Sequence, residues 1–380
     1  MERFDCVVVG VGAAGSATLA ELARRGVRAL GIERLAPGHD RGSSHGATRA
    51  TRTAYFEHPD YVPLLRRSNA AWRELDAATE ETLLVECGIL EAGPEDGELV
   101  PGVLRSAEEH GLDVERLDAA GLARRAPALR LPDGIVALFE REAGFLDPEA
   151  CVRALARQAT SRGAQLWTDC EVQGWREESG ALVVETSRGS VHTTALVLTQ
   201  GAWAAQALAA LGLQLEVARK PQLWFAADPA GPAGLAAGFA PFCVETGDGG
   251  VFYGFPALDH RGLKAAEHTG GAAVVDPSRL DRDLHDGDVA PTAAFLAAHF
   301  PGVAGPCGEH TVCMYTRTTD GHFVVDRHPA HPRVAFAAGL SGHGFKFAPV
   351  LGRALADLAL EGGSELPIGF LSAARLGAGA

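Results

Sequence analysis

A glycine-rich turn close to the N-terminus constrains the fold of this chain more than any other feature. Residues 4–9 form an apolar run rich in β-branched side chains that stops at Gly10, as a buried parallel strand does. Gly10, Gly12 and Gly15 follow in G-x-G-x-x-G spacing. The first glycine permits a tight turn, the second lets the backbone approach a pyrophosphate, and the third lets a helix pack closely against the strand. The turn therefore predicts a βαβ unit with a phosphate site at the helix N-terminus.

A second apolar run completes this unit. It covers residues 27–32 and ends at Glu33, where a carboxylate can accept hydrogen bonds from ribose hydroxyls. The glycine motif alone is a weak indicator, because a glycine turn also occurs in ordinary βαβ units. In this chain the strand, the glycines, the helix, the second strand and the terminal acid follow one another in the required order, which predicts a dinucleotide-binding site.

Charge and composition exclude several classes of protein. The chain has 380 residues and a formal net charge of -14, which argues against nucleic acid or an anionic membrane as a partner. No apolar run reaches the ~18 residues of a transmembrane helix. Seven cysteines are scattered without a C-x-x-C pair, so we expect a reducing, cytoplasmic location and no metal site. An anionic substrate would need a local cluster of positive charge.

The order of apolar runs predicts an α/β chain with two interleaved domains. Strand and helix patterns typical of a parallel sheet recur over residues 1–80, 145–217 and 318–380, which we assign to one nucleotide-binding domain. The intervening residues 81–144 and 218–317 are assigned to a second, α+β domain. Its short runs divided by Pro and Gly predict an antiparallel sheet.

Local patterns predict individual elements within this plan. Periodicity predicts a helix over residues 55–80, and Asp147 can cap another helix that begins at the following proline. Separate strands are expected at residues 190–194 and 195–199. Mixed structure with surface helices is expected over residues 81–131, and no catalytic or binding motif is evident there.

Two arginines follow a loop rather than a third strand. Residues 37–49 are rich in glycine, serine and other turn residues, which forbids a long regular element. Arg49 and Arg52 have helical spacing, so that both can point to one side. A solvated face is the ordinary alternative for such a pair. Their position behind a glycine- and serine-rich loop beside the nucleotide site favours a functional role instead.

A second glycine-rich turn lies near the C-terminus. Residues 334–338 form a last apolar strand, and residues 339–346 (Gly-Leu-Ser-Gly-His-Gly-Phe-Lys) turn out of it. A helix is expected to follow over residues 347–360. Such a turn allows close backbone approach to a bound cofactor.

These stretches carry a resemblance to a known family. The first glycine turn, residues 44–52, residues 313–316 (Cys-Met-Tyr-Thr) and residues 339–346 together resemble the family of monomeric sarcosine oxidase and N-methyl-L-tryptophan oxidase. The resemblance implies a glutathione-reductase-type FAD domain with a smaller substrate domain, and a flavin joined covalently through its 8α-methyl to the sulfur of Cys313. It also implies a monomeric oxidase of an N-methyl or cyclic amino acid. Such an enzyme uses oxygen, releases hydrogen peroxide and forms an imine that hydrolyses to amine and aldehyde.

Two departures from the family pattern bear on the substrate. The family loop often carries an acidic residue where this chain has Ala47, and residues 53–56 (Thr-Ala-Tyr-Phe) replace a glycine-containing run. Both changes lie near the expected entrance of the active site. They therefore concern the identity of the substrate more than the reaction.

The resemblance assigns roles to six candidate catalytic residues. Arg52 and Lys346 are expected to hold the substrate carboxylate, because arginine can grip both oxygens and lysine adds a point charge. A lysine beside a helix N-terminus is electrostatically unfavourable, which itself favours a function for Lys346. Arg49 and Lys264 are expected on opposite faces of the flavin, where the lysine would promote reaction with oxygen. The residues expected to line the substrate pocket are Tyr253 and His268.

The expected contacts of FAD combine both glycine turns with the arginine loop and the cysteine run. They are Gly10, Gly12, Ala13, Ala14, Gly15, Glu33, Arg34, Ser43, Ser44, Arg49, Val172, Gly201, Cys313, Met314, Gly342, Gly344 and Lys346. Attachment at Cys313 needs a thiolate, which a nearby cation such as Arg49 would favour. A solvated lysine, a structural histidine and a small buried cysteine are the ordinary alternatives for these residue types.

Three other functions compete with an FAD oxidase. A flavin dehydrogenase would pass electrons to a quinone or carrier protein, but Lys264 argues against it. A non-catalytic flavin-binding module would have no use for four cations around a substrate-sized site. A nicotinamide-dependent dehydrogenase is disfavoured because the first βαβ unit leads into a long loop of the flavin type.

Overall fold

The first glycine turn joins a strand to a helix in the computed structural model, which describes residues 2–303 and 305–377. The described helices are α1 (Ala13–Arg24), α2 (Val62–Ala77), α3 (Leu99–His110), α4 (Ala119–Arg125), α5 (Pro148–Ser161), α6 (Ala204–Ala207), α7 (Asp286–His299) and α8 (Ala348–Glu361). The described strands are β1 (Arg3–Val9), β2 (Ala29–Ile32), β3 (Arg49–Thr51), β4 (Leu84–Glu86), β5 (Ile89–Pro94), β6 (Val114–Leu117), β7 (Ile135–Glu140), β8 (Gly144–Leu146), β9 (Gln165–Trp167), β10 (Val172–Glu178), β11 (Ala181–Thr186), β12 (Gly189–Leu198), β13 (Glu216–Phe225), β14 (Phe242–Glu245), β15 (Val251–Phe255), β16 (Leu263–Glu267), β17 (Cys307–Arg317), β18 (Val324–His328) and β19 (His331–Ala338).

β1 lies inside an eight-stranded sheet built around the predicted βαβ unit. The order is β10-β11-β12-β1-β2-β9, and β19, which carries β18, also pairs with β12. β1 is parallel to both of its neighbours. Cys6 and Val8 pack into the core beneath α1, α5 and α8, whereas Val7 and Val9 enter the core on the other face. Burial on both faces explains why residues 6–9 are an unbroken apolar run, whereas Asp5 at the start of the strand is exposed.

A second eight-stranded sheet has the order β17-β13-β16-β15-β14-β5-β7-β6. Its neighbours are antiparallel, as predicted, except that β14 and β5 are parallel. A small antiparallel sheet, β3-β8-β4, lies apart from both. We propose the domain boundaries given above, and the membership of the strands in these sheets supports them.

Two of the predicted elements are corrected by the backbone hydrogen bonding. The expected helix over residues 55–80 begins at Val62, because Pro59–Tyr61 forms a separate 3-10 turn. The two strands expected at residues 190–194 and 195–199 are one strand, β12, because β1 pairs with both parts of it.

The helical spacing of Arg49 and Arg52 was also wrong as a description of the backbone. Arg49 is the first residue of β3 and pairs with Leu146 of β8. The strand ends at Thr51, before Arg52. The helix predicted after Asp147 is confirmed, since the Oδ1 atom of Asp147 accepts a hydrogen bond from Ala150 N at 2.8 Å.

Replacing Gly15 by alanine is expected to loosen the contact between α1 and β1. A Cβ atom at Gly15 would lie 1.8 Å from the carbonyl oxygen of Gly10, so the helix would have to move. Overpacking a core costs about 1–3 kcal/mol in the free energy of unfolding, which chemical denaturation can measure. Gly363→Ala is the matched control, because a Cβ there meets no described atom within 4 Å. Equal stability of the two variants would contradict the close packing at Gly15.

None of the described helices combines the length and the apolar character that crossing a membrane requires.

Candidate active site

A large cavity of about 840 Å³ opens where the first glycine turn, the loop after β2, β17 and the turn after β19 meet. Of the residues expected to contact FAD, all but Gly15 and Lys346 line it. Gly15 serves the packing of α1 on β1, as its spacing predicts. Lys346 lines a smaller neighbouring cavity instead.

The first glycine turn forms one wall of the large cavity. Gly10 has a φ angle of 86°, and a Cβ atom there would lie 2.7 Å from the carbonyl oxygen of Thr199. This position therefore requires glycine. At the start of α1, the N–H group of Ala13 donates to Ser44 Oγ at 3.1 Å, which joins the turn to the loop before the arginines.

Glu33 lies at the end of β2, where the sequence predicts a ribose-binding carboxylate. Its oxygens accept hydrogen bonds from Val11 N at 2.8 Å and Leu35 N at 3.1 Å, and His39 Nε2 lies 3.3 Å away. Burial opposes ionisation, but these donors hold the pKa of Glu33 below its ordinary value. A fixed, ionised carboxylate is thus available at the cavity wall.

Two observations fit the large cavity to a flavin dinucleotide. The hydroxyl oxygen of Thr316 is buried at the cavity wall and has no hydrogen-bond partner among the described residues, so a bound molecule would satisfy it. In the second glycine turn, Gly342 has a φ angle of 81°, and a Cβ atom there would lie 2.4 Å from the ring of Tyr315. The turn can therefore approach β17 and the cavity only with glycine at this position.

Cys313 lies on β17 at the wall of the large cavity, with 1% of its surface exposed. Its Sγ atom is 3.4 Å from Nη2 of Arg49. Arg49 is itself held by carbonyl oxygens, donating to Thr48 O at 2.8 Å and Ser43 O at 3.1 Å. Arg49 therefore places a guanidinium N–H group directly against the sulfur.

The smaller cavity, of about 90 Å³, adjoins the large one. The residues that line both are Arg49, Tyr315, Gly342 and Phe345. Of the six candidate catalytic residues, those that line the smaller cavity are Arg49, Arg52, Tyr253, His268 and Lys346. Both arginines thus reach one side, as predicted, although no helix carries them.

Arg52 is buried between two carboxylates. Its Nη1 atom donates to Glu91 Oε1 at 2.9 Å, and its Nη2 atom donates to the two oxygens of Glu57 at 2.9 and 3.0 Å. The guanidinium also lies 4.6 Å from the ring centres of both Tyr55 and Phe56. Burial lowers the pKa of Arg52, but the two carboxylates outweigh it and raise the pKa. Because Arg52 is buried, it does not belong to a solvent-exposed helix face, which was the ordinary alternative for this arginine.

Lys346 belongs to the 3-10 turn Phe345–Phe347 that precedes α8, and it is buried. Its Nζ atom donates to His343 O at 2.9 Å and lies 5.0 Å from the ring centre of Tyr55. Burial, followed by the positive charge of Arg52, lowers the pKa of Lys346 to about 7. The residue that was expected near a helix N-terminus is therefore a desolvated cation at the cavity wall.

Lys264 is buried on β16, with 2% of its surface exposed, so that a solvated lysine is excluded. Its Nζ atom donates to Gly46 O at 2.6 Å, Thr48 Oγ1 at 3.0 Å and Thr48 O at 3.2 Å. Burial, followed by the charge of Arg49, lowers its pKa well below the ordinary value. Lys264 is not among the residues that line either cavity; it lies behind the arginine loop.

Tyr253 and His268 form an aromatic wall of the smaller cavity. Their ring centres are 6.3 Å apart, and His268 Nδ1 lies 3.4 Å from the hydroxyl of Tyr315. Burial lowers the pKa of His268 to about 3, so its imidazole is neutral near pH 7. A neutral ring can accept or donate one hydrogen bond without adding charge.

Sequence reasoning missed four residues that shape the smaller cavity. They are Glu57, Glu91, Tyr315 and His343. The scarcity of lysine in the sequence is a signal that could have pointed to this site. The chain has only three lysines among its 34 basic residues, and Lys220, Lys264 and Lys346 are all buried. Lysine is almost never fully buried without a partner or a role.

Comparisons with known proteins identify the family of this chain. Residues 5–358 match the FAD dependent oxidoreductase family (DAO). The chain is 39% identical over 383 residues to monomeric sarcosine oxidase of Streptomyces avermitilis, covering 99% of this chain and 98% of the relative. It is 37% identical over 360 residues to N-methyl-L-tryptophan oxidase of Salmonella arizonae, covering 94% and 95%.

Solved structures show the same fold at lower sequence identity. The open form of NikD, described as an unusual amino acid oxidase, gives a TM-score of 0.85 at 24% identity and covers 98% of both chains. Glycine oxidase from Geobacillus kaustophilus gives a TM-score of 0.80 at 23% identity and also covers 98% of both chains. The α/β fold with an FAD-binding Rossmann-like domain is thereby confirmed.

Proposed function

This chain belongs to the FAD dependent oxidoreductase family, and we propose that it is an oxidase of a secondary amino acid, either N-methylated or cyclic. The observation that carries the proposal is the junction of the two cavities. Five of the six candidate catalytic residues line a small pocket that shares a wall with the dinucleotide cavity. A substrate in the small pocket would therefore lie next to the cofactor.

FAD, when bound, would supply the redox chemistry, which is acceptance of a hydride from the substrate carbon and transfer of the electrons to oxygen. The chain supplies orientation and charge. We propose that the contacts of FAD are those given above, except that Gly15 positions α1 and Lys346 lines the adjoining small cavity, and that Cys313 forms the covalent link. The Nη2 atom of Arg49, 3.4 Å from the sulfur, supports this assignment because it places a positive charge beside the reacting atom.

The substrate carboxylate would be held by Arg52 and Lys346. Arg52 now uses its Nη2 atom for Glu57, whose side chain is 13% exposed and lines the small pocket. A substrate carboxylate can take the place of Glu57 on that atom, because both present two oxygens to one edge of the guanidinium. Lys346 would supply the second cation. Holding the carboxylate in this way fixes the orientation of the substrate. Such orientation commonly lowers the activation barrier by several kcal/mol.

The amine would lie against the aromatic wall. Tyr253 and His268 are neutral near pH 7, because burial raises the pKa of the tyrosine and lowers that of the histidine. A wall without charge suits the neutral amine from which hydride is removed. His268 can accept a hydrogen bond from that amine.

Replacing Lys346 by methionine is expected to raise KM for an amino-acid substrate about ten- to a hundred-fold. Losing a charge-assisted contact costs roughly 1.5–3 kcal/mol, and methionine keeps the length of the side chain. Arg52 is a poorer target, since its removal would leave Glu57 buried without its cation and Glu91 without its hydrogen-bond donor. Anaerobic flavin reduction at varied substrate concentration completes the test, with Lys264→Met as the matched control in which the substrate dissociation constant should change little. An unchanged KM in Lys346→Met would remove this lysine from the carboxylate site.

Peroxide release across a panel of amines tests the proposed function. The panel is sarcosine, N-methyl-L-tryptophan, L-proline and L-pipecolate. We expect hydrogen peroxide from at least one of them, with oxygen as the only acceptor. Turnover that needs an added quinone or carrier and yields no peroxide would favour the dehydrogenase alternative.

We further propose that the enzyme is monomeric, as the family resemblance implies, and cytoplasmic, as its scattered cysteines indicate.

A further inference from the structure

Arg52 is held by two carboxylates that differ in how firmly they are fixed. Glu91 lies on β5, in the interior of the second sheet, with Leu138 of β7 and Cys243 of β14 as its neighbours in register. The side chain of Glu91 is 2% exposed. Glu57 follows β3 in a connecting segment, lines the small pocket and is 13% exposed. Glu57 is therefore the carboxylate that a ligand entering the small pocket can reach and displace from Arg52.

We propose that Glu91 is a positioning residue that keeps Arg52 in place while a substrate carboxylate replaces Glu57, and that its charge sets the affinity of the pocket for carboxylates. The inference rests on the proposed function, since it concerns the same pocket. Glu91 accepts the hydrogen bond from Nη1, so the guanidinium stays aligned when the contact at Nη2 is exchanged. The rings of Tyr55 and Phe56, whose centres lie 4.6 Å from the guanidinium carbon of Arg52, also help to hold the guanidinium in place.

The charges around Glu91 make its protonation state consequential. The titratable groups that face it from the surrounding elements are Arg52, Glu57, Glu140, Cys243 and Lys346. Glu140 is occupied, because it accepts hydrogen bonds from Thr53 N and Ala54 N. With Glu91 neutral, a bound carboxylate faces two cations, Arg52 and Lys346. With Glu91 ionised, it faces the same cations and a second negative charge.

The ionisation of Glu91 is expected to weaken carboxylate binding as the pH rises. Burial, opposed by Arg52 and assisted by Glu140 and Glu57, raises the pKa of Glu91 to about 8. Below that pH Glu91 is protonated and carboxylate binding is strong; above it Glu91 is ionised and binding weakens. Lys346, with a pKa of about 7, loses its charge over a neighbouring range and weakens binding as well. The contribution of Glu91 must therefore be measured against a variant that keeps Lys346.

The test compares acetate binding by the wild-type holoenzyme and by Glu91→Gln. Glutamine keeps an oxygen acceptor for Nη1 and cannot ionise. Acetate is titrated while the flavin absorption spectrum is followed, so no turnover is needed. The ratio of the wild-type Kd to the Glu91→Gln Kd should be close to one at about pH 6. It should rise about tenfold or more by about pH 9, the scale of one added negative charge near a partly buried anion. Acetamide, which has the same shape without the charge, should give a ratio near one throughout.

A matched variant separates charge from position. Glu57→Gln should bind acetate more tightly than the wild type by a factor that stays constant over this range, because Arg52 keeps the pKa of Glu57 below its ordinary value despite burial. A ratio for Glu91→Gln that is also constant with pH would overturn the proposal. So would weaker binding of acetate by Glu91→Gln at every pH, since that result describes a purely structural residue.

A second variant keeps the proposal testable if Glu91→Gln does not fold. Lys346→Met removes the group next to Glu91 that also titrates in this range and leaves Glu91 untouched. Its Kd for acetate should still rise as the pH increases from about 6 to about 9. A flat profile would assign the whole pH effect to Lys346 and overturn the proposal. Because acetate binding is independent of turnover, a holoenzyme that oxidises none of the amines rejects the proposed function without affecting this measurement.

Discussion

Replacing Lys264 by methionine is expected to slow the reoxidation of reduced flavin by oxygen on the order of a hundred-fold or more. That is the scale for removing one preorganised electrostatic group from an active site. Negative charge develops on oxygen as it accepts an electron, and protonated Lys264 would stabilise it. Burial lowers the pKa of Lys264, but the developing charge favours the protonated form. The Nζ atom of Lys264 is fixed by three acceptors, Gly46 O and both oxygens of Thr48, so little rearrangement is needed.

The half-reactions of the enzyme allow this role to be measured separately. The variant is first reduced anaerobically by substrate and then mixed with oxygen in a stopped-flow instrument. Reduction should change modestly, because Lys264 is not part of the wall of the substrate pocket. Lys346→Met is the matched control, since it should impair substrate binding and leave reoxidation nearly unchanged. A reoxidation rate equal to that of the wild type would show that Lys264 has only a structural role in fixing the arginine loop.

Replacing Cys313 by alanine is expected to abolish covalent attachment of the flavin. The sulfur of Cys313 lies at the wall of the large cavity beside Arg49, whereas Cys6, Cys151 and Cys243 have their thiol pKa values raised by burial and lie on other elements. Acid-precipitated wild-type protein should stay yellow. Precipitated Cys313→Ala should be white, with all of its flavin in the supernatant.

The control for this experiment is another cysteine at the same cavity. Cys170 lines the large cavity, so Cys170→Ala tests whether any thiol there can serve. Its pellet should remain as yellow as that of the wild type. A white wild-type pellet would contradict covalent attachment, and a yellow Cys313→Ala pellet would show that the link is formed elsewhere.

The large cavity could be predicted from the sequence because its parts are short and local. Each glycine turn lies within one contiguous stretch, and the backbone angles that it needs are available mainly to glycine. The apolar runs of β1 and β12 are continuous because their sheet is buried on both faces. These features need no knowledge of distant contacts, and they place most of the expected FAD contacts at one cavity.

The charged surroundings of the small pocket could not be predicted in this way. Glu91 meets Arg52 only because β5, which comes from an early segment, enters the second sheet beside β14. That parallel pair interrupts an otherwise antiparallel order, and no local pattern predicts it. Glu91 is also a single acidic residue within residues 81–131, where the sequence carries no recognisable chemical motif. Likewise, Lys264 reaches Gly46 from a position 218 residues away in the chain.

The central claim is that a secondary amino acid reduces the flavin in this pocket and that oxygen reoxidises it. The most direct test is anaerobic mixing of the holoenzyme with sarcosine, N-methyl-L-tryptophan, L-proline and L-pipecolate in turn, followed by addition of oxygen. We expect at least one amine to bleach the flavin absorption, and oxygen to restore it with release of one hydrogen peroxide per flavin. A flavin that none of these amines reduces, or that is reduced but not reoxidised by oxygen, would contradict the claim.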